Sequence, residues 1–457
     1  MPRPRGLPLV GSTLELLAAG GYTRLHEFVH RRHAALGPVF QDAVGPATVV
    51  FVSDAKEMRR VFSLEGKHPS HVLPEAWLLY NRLYGAKRGL FFMEGEEWWR
   101  FRRVMNRLML RSDGGGGGGG GGGFAAPCQL VAQALVEDWG RAGCAEVRGL
   151  QAQLYQWSLS VILAVLMGEQ YSRSRLAMEP LVTRFAAVVQ RIFQESSKLA
   201  LLPPKMAAAL RLPVWRRFVA VVDEALSSAN ELVTGLIPRC RGSDGLLGAM
   251  LSEDIEHPDL VRIVADLILA AGDTTAYTMQ WILYLVARHP GLQERLHAEA
   301  AGAAGPQQLL QLQLPRGVMR EALRLYPVAP FLSRYLPHDC QLGGYPVPAG
   351  QLVVLSLYTS GRDPAYFPEP ASFLPQRWGR DAAGGHLGVA NPHASLPFAM
   401  GARSCIGRRL AEAQIVLALA EIVKKYKLSL ADSAPVDMVM EMVSVPSRPI
   451  RLLLTER

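Results

Sequence analysis

The chain has 457 residues, enough for a large core, and 49% of them are hydrophobic, which excludes a disordered or fibrous chain. A formal net charge of +9 points to an acidic partner or an anionic surface. Five cysteines without a CxxC pair exclude a disulfide framework and a zinc ribbon and fit a reducing compartment. No uninterrupted apolar run reaches the roughly 18 residues that span a bilayer; the longest stretches, around 157–168 and 352–358, are shorter.

The opening MPRPRGLPLVG has no apolar h-region and is too broken by proline for an amphipathic targeting helix. Residues 22–34 predict a short helix, and 39–41 and 47–52 predict strands. The stretch GEEWWRFRRVMN at 95–106 predicts a basic amphipathic helix. Trp98 and Arg102 are four apart and share a face. An indole N–H beside a guanidinium can grip an anion, although an arginine stem as readily covers apolar surface. Trp99 and Arg103 offer a neighbouring register. Ten consecutive glycines, 114–123, suit no folded element. They read as a flexible insertion or a placeholder. Residues 128–240 predict helices broken at Gly168, Pro203-Pro204 and Pro213. Within them, 199–218 is apolar with a basic end.

A long helix is predicted from Pro258 to His289, stopped by Pro290. Its middle reads Ala270-Ala-Gly-Asp-Thr-Thr275 between apolar flanks. Gly272 weakens the helix there, and a threonine hydroxyl can bond back one turn and bend it. Asp273 and Thr274 make an acid–alcohol pair able to relay protons. Farther on, Glu321 and Arg324 are three apart on a helix; such pairs are commonly surface pairs of little weight. Residues 331–363 predict short strands punctuated by glycine and proline.

The loop FAMGARSCIG, Phe398 to Gly407, leads into another helix. A cysteine at a helix start meets unpaired N–H groups and the positive end of the helix dipole, which favour thiolate. Gly401 and Gly407 let the backbone turn and approach the sulfur, and Arg403 adds a positive charge. A lone thiolate ligand suits heme iron. Cysteine is also among the residues most often simply buried.

The FxxGxRxCxG pattern resembles the heme-ligand loop of the cytochrome P-450 family, with Ala399 where that family usually has glycine. The rest of the chain outside the glycine run agrees, with the motifs in family order. The resemblance implies one catalytic domain over 1–457, mainly helical, with a long central helix over the heme and small mixed β-sheets. It implies heme b with its iron on Cys405, and propionates held by Trp98, Arg102 and Arg334, beside Phe398, Arg403 and Gly407. It also implies an opening for dioxygen near Gly272, with Asp273 and Thr274 as catalytic pair. Glu321, Arg324 and Arg377 would form a buried network bracing the heme loop. Leu267, Ala270, Ala271, Val328 and Phe331 are candidates to line the pocket. The 199–218 region either roofs the pocket and rests on a membrane or is a solvated helical hairpin.

Gly407-Arg408-Arg409 resembles the mitochondrial branch, on the matrix side of the inner membrane. Arg320, Arg408, Arg409, Lys424 and Lys425 would then dock an adrenodoxin-like ferredoxin, reduced by its NADPH-dependent reductase. The stretches LILAAGDTTAYTMQW and SLPFAMGARSCIGRR are most similar to arthropod ecdysteroid 2-hydroxylases, implying a steroid substrate. A heme sensor or electron-transfer protein would need Cys405 but not Asp273 and Thr274. Nucleic-acid binding is not expected: the charge is dispersed and no recognition motif is present.

Overall fold

In the computed structural model, the described residues are 1–7, 10–44, 47–110, 123–141, 143, 145–199, 202–382 and 384–457. Most of the glycine run, 114–122, lies outside them. The architecture is organised on a central helix, His257–Ala287, of 31 residues and about 46 Å. Pro258 fits its first turn, where a missing N–H costs nothing. From Gly272 onward nearly every residue is buried, so the helix is apolar on all sides.

A second apolar helix, Leu150–Met167, crosses it. By length and composition this helix could span a bilayer, with a mean hydropathy of 1.3, yet 72% of it is buried inside the protein. It is a core helix, ended by Gly168 in a conformation with φ 60°. The helices Gln170–Ser197 and Pro213–Cys240 pack on each other above this pair, joined through the short helix Pro204–Ala209. The proline breaks therefore fall where the sequence puts them. Pro180 and Pro238, by contrast, are carried inside helices.

One four-stranded sheet has the order Val39–Val44, Ala47–Val52, Leu352–Ser356, Phe331–Tyr335. Its pairings are antiparallel, parallel and antiparallel, so it is mixed. Among the described residues the other sheets are two-stranded. The sheet delivers Arg334 to the buried side of the cysteine loop. The helix Gly95–Leu110 delivers Trp98 and Arg102 to the same place.

Candidate active site

Cys405 lies in an irregular loop three residues before the C-terminal helix Arg408–Lys425, which Gly407 caps. Its N–H donates to the Phe398 carbonyl (2.9 Å), closing the loop. The residue sits deep among protein groups but keeps an accessible side chain. Burial pushes its thiol pKa up; the Gly407 N–H, Arg102 and Arg408 pull the other way and do not prevail. Burial thus opposes the thiolate that the helix start favours, and a bound cation would stabilise it further. Glycine at 407 is not demanded by crowding either, since a Cβ there would stand 4.0 Å from Sγ.

Gly401 is demanded. Its φ is +79°, and a Cβ would overlap Oε1 of Glu65. That buried carboxylate accepts from the Ala402 N–H (2.7 Å) and from Nε of Arg334 (2.6 Å). Ala399 holds φ +56°, a left-handed conformation costing an alanine about 1–2 kcal/mol.

Trp98 and Arg102 do share the buried face of their helix, at 1% and 6% exposure. Arg102 donates to the Ser404 carbonyl (2.6 Å), one residue from the cysteine. The Arg403 guanidinium lies 4.4 Å over the Trp98 ring and donates to the carbonyls of Pro69 and Met93, each at 2.6 Å. Arg102 Nε, Arg334 Nη2 and both ring nitrogens of His71 are buried without a partner. His71 was not foreseen. Burial, then Arg403 and Arg334, push its pKa down to about 3. Nothing in the local sequence marks it, because its neighbours come from distant segments.

Glu321, Arg324 and Arg377 meet at 0%, 1% and 4% exposure. Arg324 holds Glu321 with two bonds, 2.7 and 3.0 Å, and also donates to the carbonyls of Gly361, Pro370 and Ser372. Arg377 Nε (3.0 Å), Trp378 Nε1 (2.8 Å) and the Leu374 N–H (3.1 Å) complete the carboxylate.

The central helix is continuous through Gly272, so the expected opening there is not seen. Gly272 instead makes room for a neighbour: a Cβ would overlap the Tyr155 ring of the crossing helix. Thr274 does bond back, to the Ala270 carbonyl at 3.0 Å. Ala270 and Thr274 are exposed on an otherwise buried span, with Leu267 and Ala271 half-buried beside them. Phe331 is half-buried and Val328 buried. Asp273 is 1% exposed and points into the core, about 100° around the helix from Thr274. Burial, then Glu441, push its pKa up to about 8. Replacing Gly272 with alanine should destabilise the protein by about 1–3 kcal/mol through overpacking, despite alanine's better helix propensity. A lowered thermal midpoint in the heme-loaded variant is the expected reading; an unchanged one would contradict the contact.

On the face before the C-terminal helix, Arg408 and Arg409 are exposed. Arg320 lies over the Trp378 ring (5.9 Å), and its pKa is pushed down by burial, then by Arg316, Arg408 and Arg380. Arg316 and Arg380 thus join the cluster. Lys424 and Lys425 end the same helix, about 24 Å away. Lys424 faces Glu421, and Lys425 lies over the Tyr426 ring.

Residues 1–454 match the family model described as cytochrome P-450. The chain belongs to the cytochrome P-450 family. It is 40% identical to the mitochondrial cytochrome P-450 315a1 of Drosophila melanogaster, over 100% of this chain and 88% of that one. It is 32% identical to human mitochondrial 25-hydroxyvitamin D-1 alpha hydroxylase, over 97% and 90%. The fold is similar to retinoic-acid-bound cyanobacterial CYP120A1, with a TM-score of 0.78 at 21% identity, covering 100% of this chain and 99% of that one. As a cytochrome P-450 it is a monooxygenase that carries heme on a cysteine thiolate. The residues fit that group: an accessible cysteine lies near buried arginines, two of which keep one N–H without an acceptor, Arg102 Nε and Arg334 Nη2, as propionates require.

Proposed function

We propose that this chain is a mitochondrial steroid hydroxylase, acting at the matrix side of the inner membrane on carbon 2 of an ecdysteroid. The observation that carries the reading is the combination of two features. One is the accessible Cys405 among unpartnered buried donors; the other is the open Ala270–Thr274 face of an apolar helix. A sterol needs a mostly apolar pocket with a few polar anchors. The names of relatives, a vitamin D hydroxylase and a cholesterol side-chain cleavage enzyme, support a sterol. The choice of ecdysteroid rests on resemblance to the arthropod 2-hydroxylases.

Cys405 is the iron ligand in this reading. Trp98, Arg102, Arg334 and Arg403, with His71, hold the propionates; Phe398 and Gly407 shape the loop. Heme supplies reductive activation of dioxygen and insertion of one oxygen atom into a C–H bond. Asp273, carrying a proton at neutral pH, passes it toward Thr274, whose hydroxyl stands on the accessible face. Titration with a 2-deoxyecdysteroid should shift the absorption spectrum of the heme-loaded protein, and turnover should yield the 2-hydroxy product by mass spectrometry. A response to other sterols but none to 2-deoxyecdysteroids would overturn the assignment.

Arg320, Arg408 and Arg409, with Arg316 and Arg380, form the docking face for an adrenodoxin-like ferredoxin. Opposite charges steer the encounter, and salt weakens it. Reversing Arg408 and Arg409 to glutamate should slow reduction by the ferredoxin and flatten its salt dependence. Reduction by dithionite should stay unchanged. Stopped-flow reduction at several ionic strengths reads this; unchanged ferredoxin rates in a heme-loaded variant would remove the docking face. Exposed Met206 and Leu210, beside Arg216 and Arg217, support a peripheral membrane contact.

A further inference from the structure

Gly272 brings a phenol against the backbone of the central helix one residue before Asp273. Tyr155 is 1% exposed, its ring fills the space a Cβ at 272 would need, and its hydroxyl has no partner. Asp273 Oδ2 is likewise buried without a partner. One turn along the crossing helix, Ser158 donates to the Ala271 carbonyl (2.8 Å), so this wall is fixed on both sides. Two buried polar groups without partners in one wall are costly. A single buried water bonded to both would relieve that cost.

We propose that Tyr155 is a positioning residue for oxygen activation: its phenol, through one shared water, orients the Asp273 carboxyl that feeds protons to Thr274. The inference rests on the roles given to Asp273 and Thr274 above. The neighbouring groups agree with it. Tyr277, one turn on, accepts at its hydroxyl from Gln151 Nε2 (2.9 Å), whereas the Tyr155 hydroxyl has no partner. Burial, then the charge of Asp273, push the Tyr155 phenol far up, so it stays a neutral donor. Glu441, on the strand Met438–Glu441, adds negative potential and helps keep Asp273 protonated. A donor held on Oδ2 fixes which carboxyl oxygen carries the proton, and that fixes the direction in which it leaves.

Tyr155→Phe removes one oxygen and keeps the ring that Gly272 accommodates. The variant should retain its heme, carbon monoxide spectrum, thermal midpoint, sterol titration and rate of first reduction. Product formed per NADPH should fall about tenfold, the lower end of what loss of an orienting partner costs, with the missing electrons recovered as hydrogen peroxide. Combined with Thr274→Ala, it should add no further loss, because both act on one path. A merely structural role would instead move the midpoint and leave the peroxide share alone. If Thr274→Ala diverts electrons to peroxide and Tyr155→Phe does not, the inference about Tyr155 falls and the Asp273–Thr274 reading stands. If neither diverts them, that reading falls first. Should the phenylalanine variant lose heme, a genetically encoded fluorotyrosine at 155 keeps the shape and acidifies the phenol; unchanged coupling there would also overturn the inference.

Discussion

Cys405→Ser should abolish the long-wavelength band that ferrous thiolate heme gives with carbon monoxide. Serine is close in size, and the loop around it is fixed by other groups: Glu65 on the Ala402 N–H, Arg102 on the Ser404 carbonyl, Phe398 on the Cys405 N–H. The variant should therefore fold, and some heme should still be held by the cationic wall. An alkoxide is far harder to form than a thiolate, and an alcohol donates little electron density to iron. Hydroxylation should vanish with the band. A surviving band would show that another residue ligates the iron.

Glu321→Gln should be the most destabilising of the conservative substitutions in this chain. The carboxylate is fully buried and takes bonds from Arg324, Arg377, Trp378 and the Leu374 N–H. Glutamine keeps the shape but removes the negative charge between two buried guanidiniums and turns one acceptor into a donor. Breaking a buried ion pair costs about 3–5 kcal/mol. Glu412→Gln is the matched control. Glu412 pairs with Arg408 at 3.1 Å, but Arg408 is half-exposed, so the loss there should stay under about 1 kcal/mol. Urea unfolding with heme content as a second readout measures both. Comparable losses in the two variants would mean that the Glu321 network does not brace the fold.

Local pattern carries much of this structure. The central helix, the first strands, the proline-marked helix ends and the Glu321–Arg324 pairing follow from periodicity, caps and spacing. The turn at Gly401 in the cysteine loop follows from its glycine. What is not legible is what a side chain meets across the fold. Gly272 reads locally as a weak point of a helix, and only the Tyr155 ring on a different helix explains it. Asp273 and Thr274 read as a pair because they are adjacent, yet the helix turns them to different surroundings. At the thiol, a helix start is visible in sequence, whereas the burial that opposes it is not. His71 and Glu65 carry no local signal at all, since each acquires its role from segments far along the chain.

The bonds that hold the cysteine loop have a temporal consequence. They join residues 402 to 65, 403 to 69, 403 to 93 and 404 to 102, separations of 337, 334, 310 and 302 along the chain. Closing such long stretches costs entropy before any contact repays it, and contacts of this span slow folding. A ribosome releases residues 65–102 long before residue 405. The early segment must therefore keep its carbonyls and carboxylate ready for a loop that arrives last. Heme capture therefore waits on a segment made late in synthesis, and truncation before Cys405 forfeits the ligand.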